Sequence, residues 1–133
     1  MNDTTRPALT SITPFFIVRD VAPSLAFYRD RLGFEVTYAA PDEEPFFAMV
    51  RRDGASLMIK AILPDVHPSP NPTKHPWASW DAFIHTPDPD SLAAEFTSRG
   101  VQMHAALADT EDNLRGFAIQ DPDGYVLFFG RPN

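Results

Sequence analysis

An α+β fold of two tandem βαβββ units is predicted by three observations: an internal repeat, a proline-rich stretch between its halves, and matching helix and turn signals in each half. An offset of 67 lays Phe16-Ile17 on Phe83-Ile84, Ser24-Leu25-Ala26 on Ser91-Leu92-Ala93, and Gly33-Phe34 on Gly100-Val101. An offset of 70 then lays Phe47-Ala48-Met49 on Phe117-Ala118-Ile119, Asp53-Gly54 on Asp123-Gly124, and Leu57-Met58-Ile59 on Leu127-Phe128-Phe129. Self-similarity at a near-constant spacing marks repeated supersecondary units. Five of the 14 prolines, Pro64, Pro68, Pro70, Pro72 and Pro76, fall between Ile62 and Ser79. Proline lacks the donor that helices and inner strands need, so this stretch reads as a linker. A chain of 133 residues predicts one domain. Its first unit spans about 9–62, the linker 62–79 and the second unit about 80–131.

Each unit reads alike. An apolar strand over 13–19, or 81–86, leads to a helix over 23–32, or 89–99. Asp20 and Asp88 are cap candidates, Pro23 and Pro89 suit a first turn, and Gly33 and Gly100 suit a left-handed stop. Three strands follow: 34–39, 46–52 and 56–62 in the first unit; 101–108, 115–120 and 125–130 in the second. Asp-Gly in each unit is a hairpin signal. Alternation turns Phe16 and Val18 toward the helix and leaves Thr13, Phe15 and Ile17 on the opposite face. The repeat carries that opposite face to Trp80, Ala82 and Ile84, and the last strands add Met58, Lys60, Val126 and Phe128. One helix covers one face of a sheet. The two curved sheets are therefore expected to form an eight-stranded, partly open barrel-like sheet, helices outside, around a hollow lined by the uncovered faces.

Composition narrows the function. A net charge of −7 argues against nucleic acid, whose binders carry a basic footprint. No apolar run approaches the ~20 residues of a membrane span. With no cysteine there are no disulfides, thiolate metal sites or cysteine nucleophile. The first residues lack a secretory pattern, so a cytoplasmic protein is expected.

Arg19-Asp20-Val21-Ala22, the run from Phe27 to Phe34, and Asp121-Pro122-Asp123-Gly124 resemble the vicinal oxygen chelate superfamily of glyoxalase I, extradiol dioxygenases, fosfomycin-resistance enzymes and bleomycin-binding proteins. The resemblance runs from about Leu9 to Arg131. Leu9-Thr10-Ser11, Pro14 and Arg115-x-Phe117-Ala118 are most similar to the bleomycin-resistance branch, which carries a tryptophan where Asn113 stands here. Enzymes of the superfamily hold a divalent metal from two places in the first strands and two in the last. Those places match Thr13, Trp80, Met58 and Phe128, which are not a ligand set. A slip of one position adds only Asp81.

The resemblance thus implies a protein without metal, cofactor or catalytic residue that sequesters an aromatic or cationic drug or metabolite, as in antibiotic resistance. It also implies a homodimer, with exchange of the N-terminal strand near Pro14. Expected ligand-binding residues are Thr13, Phe15, Met58 and Lys60 in the first unit, Trp77 and Trp80 at the linker's end, and Asn113, Arg115 and Phe128 in the second. Tryptophans supply flat contact area and Lys60 or Arg115 a charge for an anionic group. A metal-dependent lyase, isomerase or dioxygenase using His85, His104 or Asp81 is the alternative, and an accessory module acting through its dimer surface a third. His67 and His75 read as solvated linker residues, and His85 as turned toward the helix.

Overall fold

The computed structural model describes residues 6–62 and 66–133. The first unit comprises β1 (Phe15–Val18), α1 (Val21–Ala26), β2 (Glu35–Ala40), β3 (Phe47–Arg52) and β4 (Ala55–Ala61). The second comprises β5 (Ala82–His85), α2 (Pro89–Ser98), β6 (Met103–Asp109), β7 (Leu114–Gln120) and β8 (Val126–Pro132). Each unit makes a four-stranded sheet of the same order, β1-β4-β3-β2 and β5-β8-β7-β6. The first strand of each lies parallel to the last. The predicted α+β plan of paired units is present, and the eight strands remain two sheets rather than a closed barrel.

Both helices begin at the expected caps. The Asp20 carboxylate accepts the Ala22 amide at 3.4 Å, and Asp88 accepts that of Ser91 at 3.0 Å. α1 starts two residues before the predicted position, because Pro23 tolerates the whole first turn, where its missing donor has no partner to lose. The helix continues as a π turn over Phe27–Arg31, with the Leu32 amide donating to the Phe27 carbonyl at 3.2 Å. One residue more lies between Asp20 and Gly33 than between Asp88 and Gly100, and the wider turn absorbs it.

That extra residue corrects the repeat. Register pairs Phe15 with Met58 and Phe83 with Phe128. Met58 and Phe128 are counterparts, so Phe83 answers Phe15, and the offset at the first strands is 68, not 67. Ala82 and Ile84, expected on the open face, pack into the helix-side core. Phe83 joins the cluster around Phe128 instead, and His85 follows it by alternation rather than turning to the helix. In the helices, buried Ser24-Leu25 answers Leu92-Ala93, so the aligned Ser-Leu-Ala triplets are not equivalent. On β3 and β7 the buried pairs are Ala48, Val50 and Phe117, Ile119, an offset of 69. A slip of one residue carries a strand's side chains to the opposite face.

One core cluster takes residues from both units: Phe16, Tyr28, Leu32 and Ile59 with Phe96, Phe117, Ile119 and Phe129. It lies on the helix-covered side of each sheet. The uncovered faces are on the far sides, so the shared hollow expected between the two sheets of one chain is not what those faces form. Across the core the β7–β8 loop grips the first unit. Asp121 accepts the Tyr28 hydroxyl at 2.8 Å, and Asp123 accepts the Arg19 amide at 2.9 Å and the Ser24 hydroxyl at 3.3 Å. Tyr125 donates to the Ile17 carbonyl at 2.6 Å and stacks on Phe16, rings 4.3 Å apart. In the other direction Arg52 holds Glu95 on α2 through two 2.8 Å bonds. Burial pushes the Asp121 carboxyl up to about 6, while the Arg52 guanidinium holds Glu95 below the usual carboxylate range.

The two Asp-Gly turns differ. Asp53-Gly54 is a two-residue hairpin with Asp53 at φ 51°, whereas β7 and β8 are joined by a five-residue loop over 121–125. The linker is pinned rather than loose where it is described. It makes a short 3₁₀ turn over Asn71–Thr73, the Asn71 amide donates to Asp81 at 2.7 Å, and the Ser69 amide to the Tyr125 hydroxyl at 3.3 Å. Among the described residues no helix is long and apolar enough to cross a membrane.

Candidate functional site

The uncovered face of the second sheet carries a cluster of rings. Trp80 lies 5.4 Å from Phe83 and 5.5 Å from Phe128, Phe83 and Phe128 are 5.1 Å apart, and His85 sits 4.5 Å from Phe83. Phe128 is 5 % exposed, over a floor of Ala118 and Val126. Its ring is seated by two glycines that face each other across β7 and β8, Gly116 and Gly130. A Cβ at Gly116 would stand 2.6 Å from the ring, and one at Gly130 2.5 Å. Trp80 and Phe83 are half-buried and His85 is exposed, so the cluster presents an aromatic surface to solvent.

The nine expected residues fall into separate groups. Trp80 and Phe128 belong to this cluster. Phe15 and Met58 are neighbours on the uncovered face of the first sheet, with Lys60 two residues along β4, and the Thr13 hydroxyl meets that of Ser56 at 3.1 Å. Trp77 is 88 % exposed and touches His75, so it does not cap the cluster. Asn113 is a turn residue at φ 61°. Arg115 does not edge the uncovered face. It points to the helix side with Phe117 and pairs with Asp90 of α2 at 2.8 Å and Asp109 at 3.2 Å, which raises its own pKa and lowers that of Asp90. Phe83 and His85 are the additions that the offset of 67 hid. The caps Asp20 and Asp88, 68 apart, already carried the right register.

A superfamily metal does not fit these residues. By register the counterpart of Thr13 is Asp81 rather than Trp80, and both Asp81 oxygens are taken, by the amides of Asn71 at 2.7 Å and Val126 at 2.9 Å. The other places hold a threonine bonded to serine, a methionine and a phenylalanine. His85 on β5 and His104 on β6 stand at opposite edges of the sheet, with β8 and β7 between them. Among the described residues no three of His, Asp and Glu converge.

A hollow does lie elsewhere. A cleft of about 630 Å³ opens between the β3–β4 hairpin and β5, with Phe34, Leu92, Phe96 and Phe129 among its walls. None of the nine expected residues lines it.

Comparison with known proteins agrees with this architecture. The profile of the Glyoxalase/Bleomycin resistance protein/Dioxygenase superfamily matches residues 9–129. No curated protein matches the sequence. Among solved structures, a bleomycin-binding protein complexed with bleomycin is similar at TM-score 0.72 and 23% identity, over 94% of this chain and 100% of that one. The bleomycin-binding protein of bleomycin-producing Streptomyces verticillus, with copper(II)-bleomycin, gives 0.69 and 24%, over 96% and 100%. TnmS3, an antibiotic binding protein from Streptomyces sp. CB03234, gives 0.66 and 22%, over 96% and 100%. At these identities the structures speak for the fold alone. The paired βαβββ units and the profile match over nearly the whole length give one conclusion: the chain belongs to the glyoxalase/bleomycin resistance protein/dioxygenase superfamily.

Proposed function

We propose that this protein binds a planar aromatic or cationic-aromatic small molecule without transforming it, on the face formed by Trp80, Phe83, His85 and Phe128. The reading rests on one observation: a solvent-facing aromatic cluster is built around Phe128, one of the places where a metal-bearing relative would need a ligating side chain. That the similar structures include a bleomycin-binding and an antibiotic binding protein supports a small-molecule ligand. Stacking on such rings contributes about 0.5–1.5 kcal/mol per pair beyond burial. A cationic ligand gains about 0.5–2 kcal/mol more over an indole face. The net charge of −7 speeds its approach, an effect that salt weakens. Cytoplasmic sequestration of a drug or metabolite is the role we assign.

The test is a thermal-shift screen of planar aromatic compounds, followed by titration of the Trp77→Phe variant, which leaves Trp80 as the sole indole. A binder should raise Tm by mass action and saturably quench Trp80. Recovery of the compound unchanged after incubation should accompany binding. Release of a product, or a binder that leaves Trp80 emission unaltered, would overturn the reading.

A homodimer is the second part of the proposal. On the first sheet Phe15 is 48 % and Tyr38 54 % exposed, with Ile17, Met49 and Met58 beside them. A second copy could cover this face and set it opposite the aromatic cluster of its partner. Light scattering should give twice the chain mass; a monomer at micromolar concentration refutes it. β1 pairs with β4 of its own chain here, and a hinge at Pro14 would pass the segment before it, which Thr13 ties to Ser56 at 3.1 Å, to the partner in the same register. Cysteines placed at Thr13 and Ser56, joined by a short bifunctional maleimide, should then yield a covalent dimer. A cross-linked monomer excludes the exchange.

A further inference from the structure

We infer that the cleft between the β3–β4 hairpin and β5 is a second small-molecule site, shaped for a neutral phenol. The two units repeat one strand order around a shared core, so the same place occurs twice beside it. On one side it is filled from within the chain: Tyr125 stacks on Phe16 at 4.3 Å with 6° between the rings, and its hydroxyl donates to the Ile17 carbonyl. On the other side the strand registers put Ala55 where Tyr125 stands, Ile84 for Phe16 and His85 for Ile17. Ala55, Ile84 and His85 all line the cleft. One side of the molecule carries the ring that the other side lacks.

The rest of the clasp is missing for identifiable reasons. The two-residue turn Asp53-Gly54 is too short to cross the gap that the five-residue loop spans on the filled side. Asp53 answers Asp123, but the Arg19 amide that Asp123 accepts is replaced by Pro87, which has no N–H. The acceptor for a hydroxyl remains. The Thr86 amide donates to Gly130 on β8, so by alternation the His85 carbonyl points to the free edge of β5, as that of Ile17 does from β1. Arg52, the cation on the wall, is held by Glu95, so the cleft offers an anion no free partner there. An aromatic ring against Ala55 and Ile84, with one hydroxyl donating to His85, restores what Tyr125 supplies opposite. Neither Trp80 nor Phe128 lines the cleft; Phe83 and His85 border both it and the aromatic face, so Ala55 and Ile84 are the residues that belong to the cleft alone.

p-Cresol, the tyrosine side chain as a free molecule, is the probe, followed by amide chemical shifts of the whole chain. Saturable shifts at Ala55, Ile84 and His85 are expected. Toluene, which lacks the hydroxyl, should bind about fivefold more weakly, as one hydrogen bond implies. Ala55→Tyr should fill the cleft and abolish p-cresol binding; Ala55→Leu should do the same with less bulk if the tyrosine variant does not fold. Binding should persist in Trp80→Phe, which separates this site from the proposed aromatic face. Shifts centred on Trp80 and Phe128, equal affinity for toluene, or unchanged binding in a folded Ala55 variant would each overturn the inference, as would p-cresol shifts that do not saturate.

Discussion

Phe128 in the second unit lies 5 % exposed under Trp80 and Phe83, while Met58, its counterpart in the first, is half-buried beside a Phe15 that is 48 % exposed. The two sheets have the same strand order and the same parallel first pair. What differs is the connection. The linker ends by laying Trp80 against the second sheet, anchored through Asn71 and Asp81, whereas the segment before β1 leaves Ile12 88 % exposed. One unit plan thus gives a formed aromatic site and an open apolar face, and the chain entering the sheet decides which.

The largest expected difference between the two faces is in stability. Phe128→Ala should cost about 3–5 kcal/mol in urea unfolding, as for a buried phenylalanine, and Met58→Ala at most about a third of that. Equal costs would break the comparison. Next comes a pH effect at the loop that only the second unit owns. Asp121 is 5 % exposed, and burial raises its carboxyl from 3.8 to about 6 in the folded chain. Its favourable contribution is therefore complete below pH 4 and lost as pH rises through 6, a swing of about 3 kcal/mol. Asp121→Asn should lose that component, so that between pH 4 and 7 its stability rises relative to the parent by this amount. A constant difference across the range rejects the assignment. Opposite-signed contributions from Glu95 and Asp90, whose carboxyls are lowered, are common to both proteins and cancel.

Smaller effects sharpen the contrast. Gly116→Ala would press a methyl against the Phe129 carbonyl as well as the Phe128 ring and should cost about 1–3 kcal/mol. Gly54→Ala, in the open hairpin with nothing within 4 Å of the added carbon, should cost less. Similar losses would show that the β7–β8 pair and the Phe128 ring both yield freely. Asp81→Asn removes one of two amide acceptors and should cost about 1 kcal/mol, with faster proteolysis across 66–80 than in the parent. Unchanged cleavage would detach the linker from the formation of the aromatic face.

The plan of the fold was legible because it is written in local signals: the caps at Asp20 and Asp88, the stops at Gly33 and Gly100, and the prolines of the linker. The faces were legible only in part. An offset taken from matching letters was one residue out in β5, since Ser24-Leu25-Ala26 and Ser91-Leu92-Ala93 are alike in sequence but not in place. The π turn that absorbs the extra residue has no compositional mark. The offset of 67 puts Trp80 on the uncovered face only by making it the counterpart of Thr13, a place that belongs to Asp81. Arg115 turns to the helix side, and nothing in its neighbourhood in the chain announces Asp90, 25 residues away. The cleft was invisible for a related reason: it depends on what Tyr125 does across the molecule and Ala55 does not.

The grips across the core have a consequence for the continuity of the backbone. The β7–β8 loop holds Arg19, Ser24 and Tyr28, and Arg52 holds α2, so each half of the chain supplies a fastener for the other. The peptide that joins the halves need not be what keeps them together. Cut within the linker, the protein should behave as two interlocked pieces that separate only on denaturation, and co-expressed halves should find each other as complementing fragments.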